Sequence, residues 1–393
     1  MAPLVLTAPQ NMLARTAAEL IQKHGGVDRQ RRLRDEGAEL GYSPEVWAEM
    51  ADLGWLGIPV AQEHGGLGMG MAETVLITEA MGRGLAPEPF VSAVVFGGGL
   101  LADAGSAEQR AVWLPRLIDG EKRVAPALME TSVRYGLDGI KSLGEPNDRG
   151  WIFGPFGLVK ARYGRSWSLS GEKLHVADAV GADAFLVSAD AYGYDGLSLF
   201  LVRADAEGIE VVPQSRVDSR NSAIVRMNKV RVDPSDAVGE LGGGLEPLGR
   251  AVDRATVAVC GEMLGLMTEA FERTIEYLKS RSQFGVLIGT FQALKHRAAT
   301  MFIEIELSRS TVMAAARALD EGSDDAELQV ANAKARCSDA LILVTNEALQ
   351  MHGGIGMTDE HDIGLFMKRA RALEFAFGDA AFHRQRFARL RGF

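Results

Sequence analysis

The chain has 393 residues, 47% of them hydrophobic and 24% charged, which suits a globular protein with a large core and two or three domains. Its 52 acidic and 42 basic residues leave a net charge of −10, which argues against a nucleic-acid surface because phosphate binding needs concentrated Lys and Arg. The basic run Lys368-Arg369-Ala370-Arg371 is short enough to be a solvated helix face. The cysteines, Cys260 and Cys337, sit in apolar helical stretches and read as buried thiols, with no disulfide or metal-ligand spacing. No apolar run reaches about 18 residues, so no membrane span is expected. Met1–Gln10 lacks a signal-peptide pattern, and a cytoplasmic location is expected.

From about Pro9 to Asp119 the apolar positions recur at helical spacing. Asn11 is placed to cap a helix carrying Met12, Leu13, Ala17, Leu20 and Ile21 on one face. Ser43 before Pro44 marks a second start, a capping hydroxyl followed by proline at the first helical position. Gly65–Gly70 interrupts the pattern before a further helix around Glu73–Met81. Its glycines lack the preceding strand and the full spacing of a dinucleotide loop, so they read as a turn.

Between Arg123 and Asp236 the period shortens. Runs beginning at Trp167, Ala184, Leu197, Ile224 and Val230 read as strands bounded by Gly, Asp and Asn turns. No long helical pattern separates them, so they form one compact β domain and not βαβ units. From Leu245 the spacing is helical to the end. Leu248, Val252, Val259, Met263, Leu266, Met267 and Ala270 recur together, and Glu304–Leu319 and Gln329–Leu349 are long amphipathic segments. Gly353-Gly354 stops one helix, and another runs over about Asp362–Phe377. The fold class is therefore α+β, with an N-terminal helical domain (1–122), a middle β domain (123–238) and a C-terminal helical domain (239–393).

No HExxH arrangement and no GxSxG elbow occurs, so neither a zinc site nor an acyl-transfer serine is expected. The chemistry-bearing residues lie at two helix ends. Arg281-Ser282-Gln283-Phe284-Gly285 closes one long helical pattern and is followed by Phe291-Gln292, while Gln350-Met351-His352-Gly353-Gly354 closes another. Singly, each suits an ordinary helix terminus. Together they resemble the flavin-binding C-terminal domain of acyl-CoA dehydrogenases, at a similar separation. Pro59–Gly68 is similar to that family's N-terminal segment, and Leu169-Ser170-Gly171-Glu172-Lys173 to its β domain.

The resemblance implies a β-barrel-like middle domain and a C-terminal four-helix bundle. It also implies FAD as cofactor, an acyl-CoA substrate, an electron-transfer flavoprotein as electron acceptor, and a homo- or heterotetramer. Arg281, Gln283, Phe284, Gln292, Gln350, Gly353 and Gly354 are the implied cofactor contacts, with the Arg and the glycine loop reaching FAD across a subunit interface. The chemistry fits: a guanidinium fork matches phosphate oxygens better than an ammonium does, and glycine lets backbone approach a ligand closely.

Two departures stand out. Family members take the substrate α-proton with a Glu supplied from one of two places. Counting onward from Gly353-Gly354, one place falls on Phe377; counting back from Leu264-Gly265-Leu266, the other falls on Ala255. Neither side chain accepts a proton. The nearby carboxylates Asp253, Glu262, Glu374 and Asp379 read as salt-bridge or surface residues, with Asp379 the least poor substitute. Where the family presents Thr-Glu-Pro and Trp-x-Thr to the flavin, this chain has Met129-Glu130-Thr131 and His175-Val176-Ala177. Of the implied contacts Met129, Glu130 and Ala177, only Glu130 keeps the family's residue. Glu130–Tyr135 with Phe377–Arg384 resembles the bacterial subset linked to steroid or branched acyl-CoA breakdown, whose members often pair two different subunits, one of them without the Glu. Three readings follow: an acyl-CoA dehydrogenase subunit, a non-catalytic partner in a heterotetramer, or a flavin oxidase or monooxygenase of the same fold.

Overall fold

The structure, a computed structural model, describes residues 6–130, 160–163, 167–191, 194 and 196–393. Thr131–Tyr135, which carries part of the resemblance to the bacterial subset, lies outside the described residues. In chain order the helices are α1 (Ala8–Lys23), α2 (Gly26–Asp35), α3 (Pro44–Asp52), α4 (Met71–Arg83), α5 (Gly99–Ala104), α6 (Ala107–Ile118), α7 (Leu245–Ser280), α8 (Gln292–Glu321), α9 (Ala326–His352), α10 (Ile363–Phe375) and α11 (Ala380–Leu390). The strands are β1 (Val124–Ala127), β2 (Lys160–Tyr163), β3 (Trp167–Ala177), β4 (Ala184–Ala191), β5 (Leu197–Arg203), β6 (Ile209–Pro213), β7 (Ser222–Val232), β8 (Ser282–Gln283) and β9 (Val286–Leu287). They fall into two compact units. One comprises Met1–Asp35, Gly70–Pro87 and Thr256–Phe393; the other comprises Glu36–Met69 and Glu88–Ala255.

The first unit is helical apart from the β8–β9 hairpin. Its α1 is opened by Thr7 and not by Asn11. Thr7 Oγ1 accepts from Gln10 N at 3.3 Å while Gln10 Oε1 accepts from Thr7 N at 3.0 Å, a reciprocal capping box. Pro9 suits the first turn, so the helix starts earlier, and the Asn11 amide instead donates to the carbonyls of Leu6 and Thr7. Helix α9 packs on α8, α10 and α11, forming a C-terminal helix bundle. Val330, Cys337, Leu341 and Val344 of α9 are fully buried, as are Met263, Leu266 and Met267 of α7. Both cysteines are buried and free.

Helix α4 crosses the bundle part of α7 at backbone contact. A Cβ on Gly82 would collide with the Glu262 carbonyl, and one on Gly265 with that of Glu79. Only glycine lets the two axes come so close. The N-terminus of α4 is capped from another helix: Asp320 Oδ1 accepts from Met71 N at 2.6 Å and Oδ2 from Ala72 N at 3.1 Å.

The second unit is built on one sheet. Strand β4 is flanked on one side by β5 and on the other by β1 and β2, which pair with successive stretches of it; β3, β7 and β6 follow in order. Its apolar face carries Phe185, Val187, Phe200, Val225 and Val230. The expected barrel-like closure is not found: among the described residues, β5 and β6 do not pair. Closing a barrel requires the two edge strands to meet. Here the outer edge of β5 is occupied by the segment leading into α7, whose Val238 N and Gly244 N donate to Leu199 O at 2.8 Å and Leu197 O at 2.7 Å. Ser43 caps α3 as its position before Pro44 predicts. No helix among the described residues is long and apolar enough to cross a membrane.

Candidate functional site

In the helical unit the chain reverses after α7 through β8 and β9. Residues Phe284 and Gly285 form the two-residue turn, with φ of 55° and 79°. Both angles are left-handed, as this hairpin class requires. Glycine adopts them freely, whereas an L-residue such as phenylalanine bears about 1–2 kcal/mol of strain there. The Phe284 side chain is 91% exposed, edge-on to Phe291. Arg281 is exposed and makes no ion pair among the described residues. Gln283 donates to Ser282 O, and Gln292 opens α8 in solvent.

The end of α9 lies against the end of α7. Tyr277, one turn before Arg281, stacks on His352 with ring centroids 4.5 Å apart, and His352 immediately precedes Gly353. The His352 Nδ1–H donates to Ala348 O at 2.7 Å, while its buried Nε2 has no hydrogen-bond partner among the described residues. Burial holds its pKa below the usual range. Gln350, Gly353 and Gly354 are exposed, and a Cβ built on either glycine meets nothing within 4 Å. The following loop is fixed by Arg31 and Arg273, which bind Asp362, and by Arg34, which grips both oxygens of Asp359. The Tyr277–His352 stack thus brings the C-terminal ends of α7 and α9 together, each followed by one of the two motifs. A free guanidinium, an open glycine backbone and a displayed ring suit a ligand with both phosphates and flat rings.

In the sheet unit Glu130 lies in a buried ion pair. Its carboxylate is buried against Lys173 Nζ, which also donates to Ser188 Oγ at 2.9 Å and Leu128 O at 3.3 Å. Burial lowers the Lys173 pKa to about 8 against the opposing pull of Glu130. Met129 is half-buried, and its carbonyl accepts from Leu174 N at 2.8 Å. Ala177 ends β3 between two left-handed residues, His175 (φ 50°) and Asp178 (φ 56°), beside a register shift between Lys173 and Val176. Asn221 pins this turn: its carbonyl accepts from Asp178 N, and its side chain both donates to and accepts from the Val180 backbone.

The two positions counted for a base are built very differently. Ala255 is fully buried in α7. Phe377 lies half-buried at the α10–α11 turn with φ 55°, followed by Gly378 at φ 104°. Asp379 caps α11, its Oδ1 accepting from Phe382 N at 2.8 Å. Glu262 is held by both arms of Arg369 at 2.8 and 2.9 Å, and Glu374 by Arg371 at 3.2 Å. Asp253 is buried.

Sequence reasoning passed over the residues that fix this turn. Lys334 is fully buried in α9, and its Nζ donates to Ser338 Oγ at 3.0 Å, Glu374 O at 3.0 Å and Gly378 O at 2.7 Å. His383, also fully buried, donates from Nε2 to Phe377 O at 2.9 Å, and its buried Nδ1 has no hydrogen-bond partner among the described residues. Burial lowers Lys334 to about 8 and, with the Lys334 charge as second cause, lowers His383 to about 3. The signal was there: Lys334 stands on the same helical face as Val330, Cys337 and Leu341, where an apolar residue is the rule.

Comparison with known proteins agrees with the two helix-end motifs. The acyl-CoA dehydrogenase N-terminal domain matches residues 7–121 and the acyl-CoA dehydrogenase C-terminal domain matches residues 242–390. The acyl-CoA dehydrogenase FadE27 of Mycobacterium tuberculosis is 28% identical over 358 residues, 89% of each chain. The ChsE4–ChsE5 complex from Mycobacterium tuberculosis contains a chain 26% identical, with a TM-score of 0.86 over 100% of both chains. A variant of the Tcur3481–Tcur3483 steroid ACAD is 29% identical, with a TM-score of 0.82 over 97% of both. With both terminal domains matched in order around the sheet, the chain belongs to the acyl-CoA dehydrogenase family, oxidoreductases that act on CH–CH groups.

Proposed function

We propose that this chain is a FAD-binding acyl-CoA dehydrogenase subunit that lacks its own α-proton acceptor and works beside a related, Glu-bearing subunit in a heterotetramer. The observation that carries the reading is the pair of exposed motifs that follow the packed ends of α7 and α9 on the helical unit: a strained, 91% exposed Phe284 with Arg281, which makes no ion pair among the described residues, and the open Gly353-Gly354 turn. Strain at an exposed aromatic persists where a ligand or partner uses it. In this reading Arg281 binds the pyrophosphate and Gly353 and Gly354 admit it to the backbone. Gln283, Gln292 and Gln350 supply polar contacts, and Phe284 packs on a ring. Met129, Glu130 and Ala177 contribute the β1 and β3 ends as the flavin wall. Glu130 acts there by fixing the backbone, since its carboxylate faces Lys173. The three-part division at 122 and 238 belongs to the same reading.

When bound, FAD supplies the acceptor for the hydride leaving the acyl β-carbon. The α-proton needs a separate base, and Phe377 and Ala255 offer none; Asp379 is occupied in capping α11. Pairing with a second subunit is supported by the heteromeric ChsE4–ChsE5 relative, and a branched or steroid-derived acyl-CoA by the steroid ACAD. Electrons then pass to an electron-transfer flavoprotein.

The test is FAD content after mild purification, followed by anaerobic titration with straight-chain, branched and steroid acyl-CoA esters. The expected outcome is a yellow protein that no ester bleaches alone and that bleaches once a Glu-bearing relative is co-expressed. Bleaching of the chain alone would show a self-sufficient dehydrogenase. Oxygen consumption by the reduced flavin would favour the oxidase or monooxygenase reading, and a chain that holds no FAD alone or paired would end the proposal.

A further inference from the structure

We propose that Lys334 and His383 are positioning residues that clamp the 374–379 turn through three main-chain carbonyls, making it a preformed socket for the side chain at 377, which this chain fills with phenylalanine. The inference rests on the reading above and adds to it how the turn is held.

The molecule keeps two unfavourable features side by side. A lysine with no exposed surface is costly to bury without a carboxylate, and an apolar residue of similar volume often does as well or better in such a place. Lys334 makes no ion pair among the described residues. All three of its protons go to oxygens, two of them the Glu374 and Gly378 carbonyls that bracket residue 377. The second feature is Phe377 itself, non-glycine at φ 55°. Such a residue persists when its surroundings over-determine it. Here they do: His383 holds the Phe377 carbonyl, Lys334 holds the carbonyls on either side, and Asp379 caps the next helix. Gly378 admits no alternative, since a Cβ there would meet His383 Nε2 at 3.0 Å. A turn fastened at the carbonyls of residues 374, 377 and 378 fixes the direction of one side chain, which is what a reacting group needs and a packing residue does not.

Phe377→Glu puts a carboxylate into the socket. Purified with FAD and without any partner, this variant is expected to be bleached anaerobically by at least one of butyryl-CoA, isobutyryl-CoA and octanoyl-CoA. The introduced carboxylate takes the α-proton, the β-carbon gives its hydride to the bound FAD, and a Cα=Cβ double bond forms as the acyl group is oxidised and FAD is reduced. Adding Lys334→Met should slow bleaching by about 100-fold, the effect of displacing a reacting group by about 1 Å, with FAD content and acyl-CoA Kd unchanged. In the otherwise unaltered chain, Lys334→Met should raise amide hydrogen exchange at 375–379. His383→Gln keeps a donor for the Phe377 carbonyl and should preserve the rate in the Phe377→Glu background, whereas His383→Phe should lower it. That pair carries the same comparison if Lys334→Met does not fold. Equal bleaching rates with and without the clamp, or unchanged exchange, would overturn the positioning role. A Phe377→Glu protein that holds FAD but is reduced by no ester overturns the socket and leaves the FAD-binding reading intact. A parent chain that never holds FAD overturns that reading, and the socket with it.

Discussion

Among the described residues each unit buries one lysine completely, and the two are kept by opposite means. In the sheet unit Lys173 faces a carboxylate, Glu130, with Ser188 and the Leu128 carbonyl completing its shell. In the helical unit Lys334 donates only to neutral groups, one hydroxyl and two carbonyls, while the Asp379 and Glu374 carboxylates act on it from beyond ion-pair distance. Burial depresses both to about 8. An ion pair makes a buried charge a local matter, because the partner's charge answers it wherever the backbone runs. A charge answered by carbonyl dipoles depends on where the backbone runs, so it selects one loop conformation. Lys173 therefore stabilises the β1 end, and Lys334 dictates the shape of the turn at Phe377.

The largest expected effect comes from splitting the ion pair. Glu130→Ala leaves the Lys173 ammonium buried and unanswered and should lower the unfolding free energy by about 3–5 kcal/mol, read by chemical denaturation. Lys173→Met with Glu130→Leu should recover most of that loss. A double variant as unstable as the single one would mean that the pair contributes by packing, and the contrast with Lys334 would lose its basis.

At Lys334 the expected effect is smaller and has a pH signature. Its folded pKa of about 8 lies below the ordinary value of 10.5, so between these pH values the unfolded chain binds the extra proton. Stability attributable to this residue is fully present above 10.5 and lost as pH falls through 8. Relative to Lys334→Met, the wild type should gain up to about 3 kcal/mol between pH 8 and 10.5. Parallel pH curves for the two proteins would show that Lys334 is not buried as a cation.

Much of this was legible beforehand. Helical spacing located α7 and α9, and the paired motifs at Arg281 and Gln350 led to the family. The strands of the sheet announced themselves by period and turn residues. What the sequence withheld was non-local. Thr7 displaced Asn11 as a cap because a reciprocal bond with Gln10 and a proline in the first turn act together. The sheet stayed open because residues 237–244, which look like linker, take the β5 edge. Glu130 was legible as a family residue but not as the partner of Lys173, 43 residues away in sequence. Composition cannot distinguish a solvated lysine from one that holds two carbonyls; only its place among Val330, Cys337 and Leu341 hinted at burial.

His383 gives the comparison its last and smallest test, on the acid side. Burial, then the Lys334 charge, lower its pKa from 6.5 to about 3, against the raising effect of its bond to Phe377 O. Below pH 6.5 the unfolded chain takes up a proton that the folded chain refuses until about 3. The contribution is therefore fully present above 6.5 and lost progressively as pH falls toward 3, amounting to about 2 kcal/mol at pH 5. Carboxylates titrate in the same window, so the useful quantity is wild type minus His383→Gln, measured at pH 7 and pH 5. That difference should shrink by about 2 kcal/mol between the two pH values. In the Lys334→Met background the loss should stop at a pH higher than about 3, because one of the two causes of the depression is gone. An end point that does not move would mean that the ammonium does not reach the histidine, and the two would no longer form one clamp.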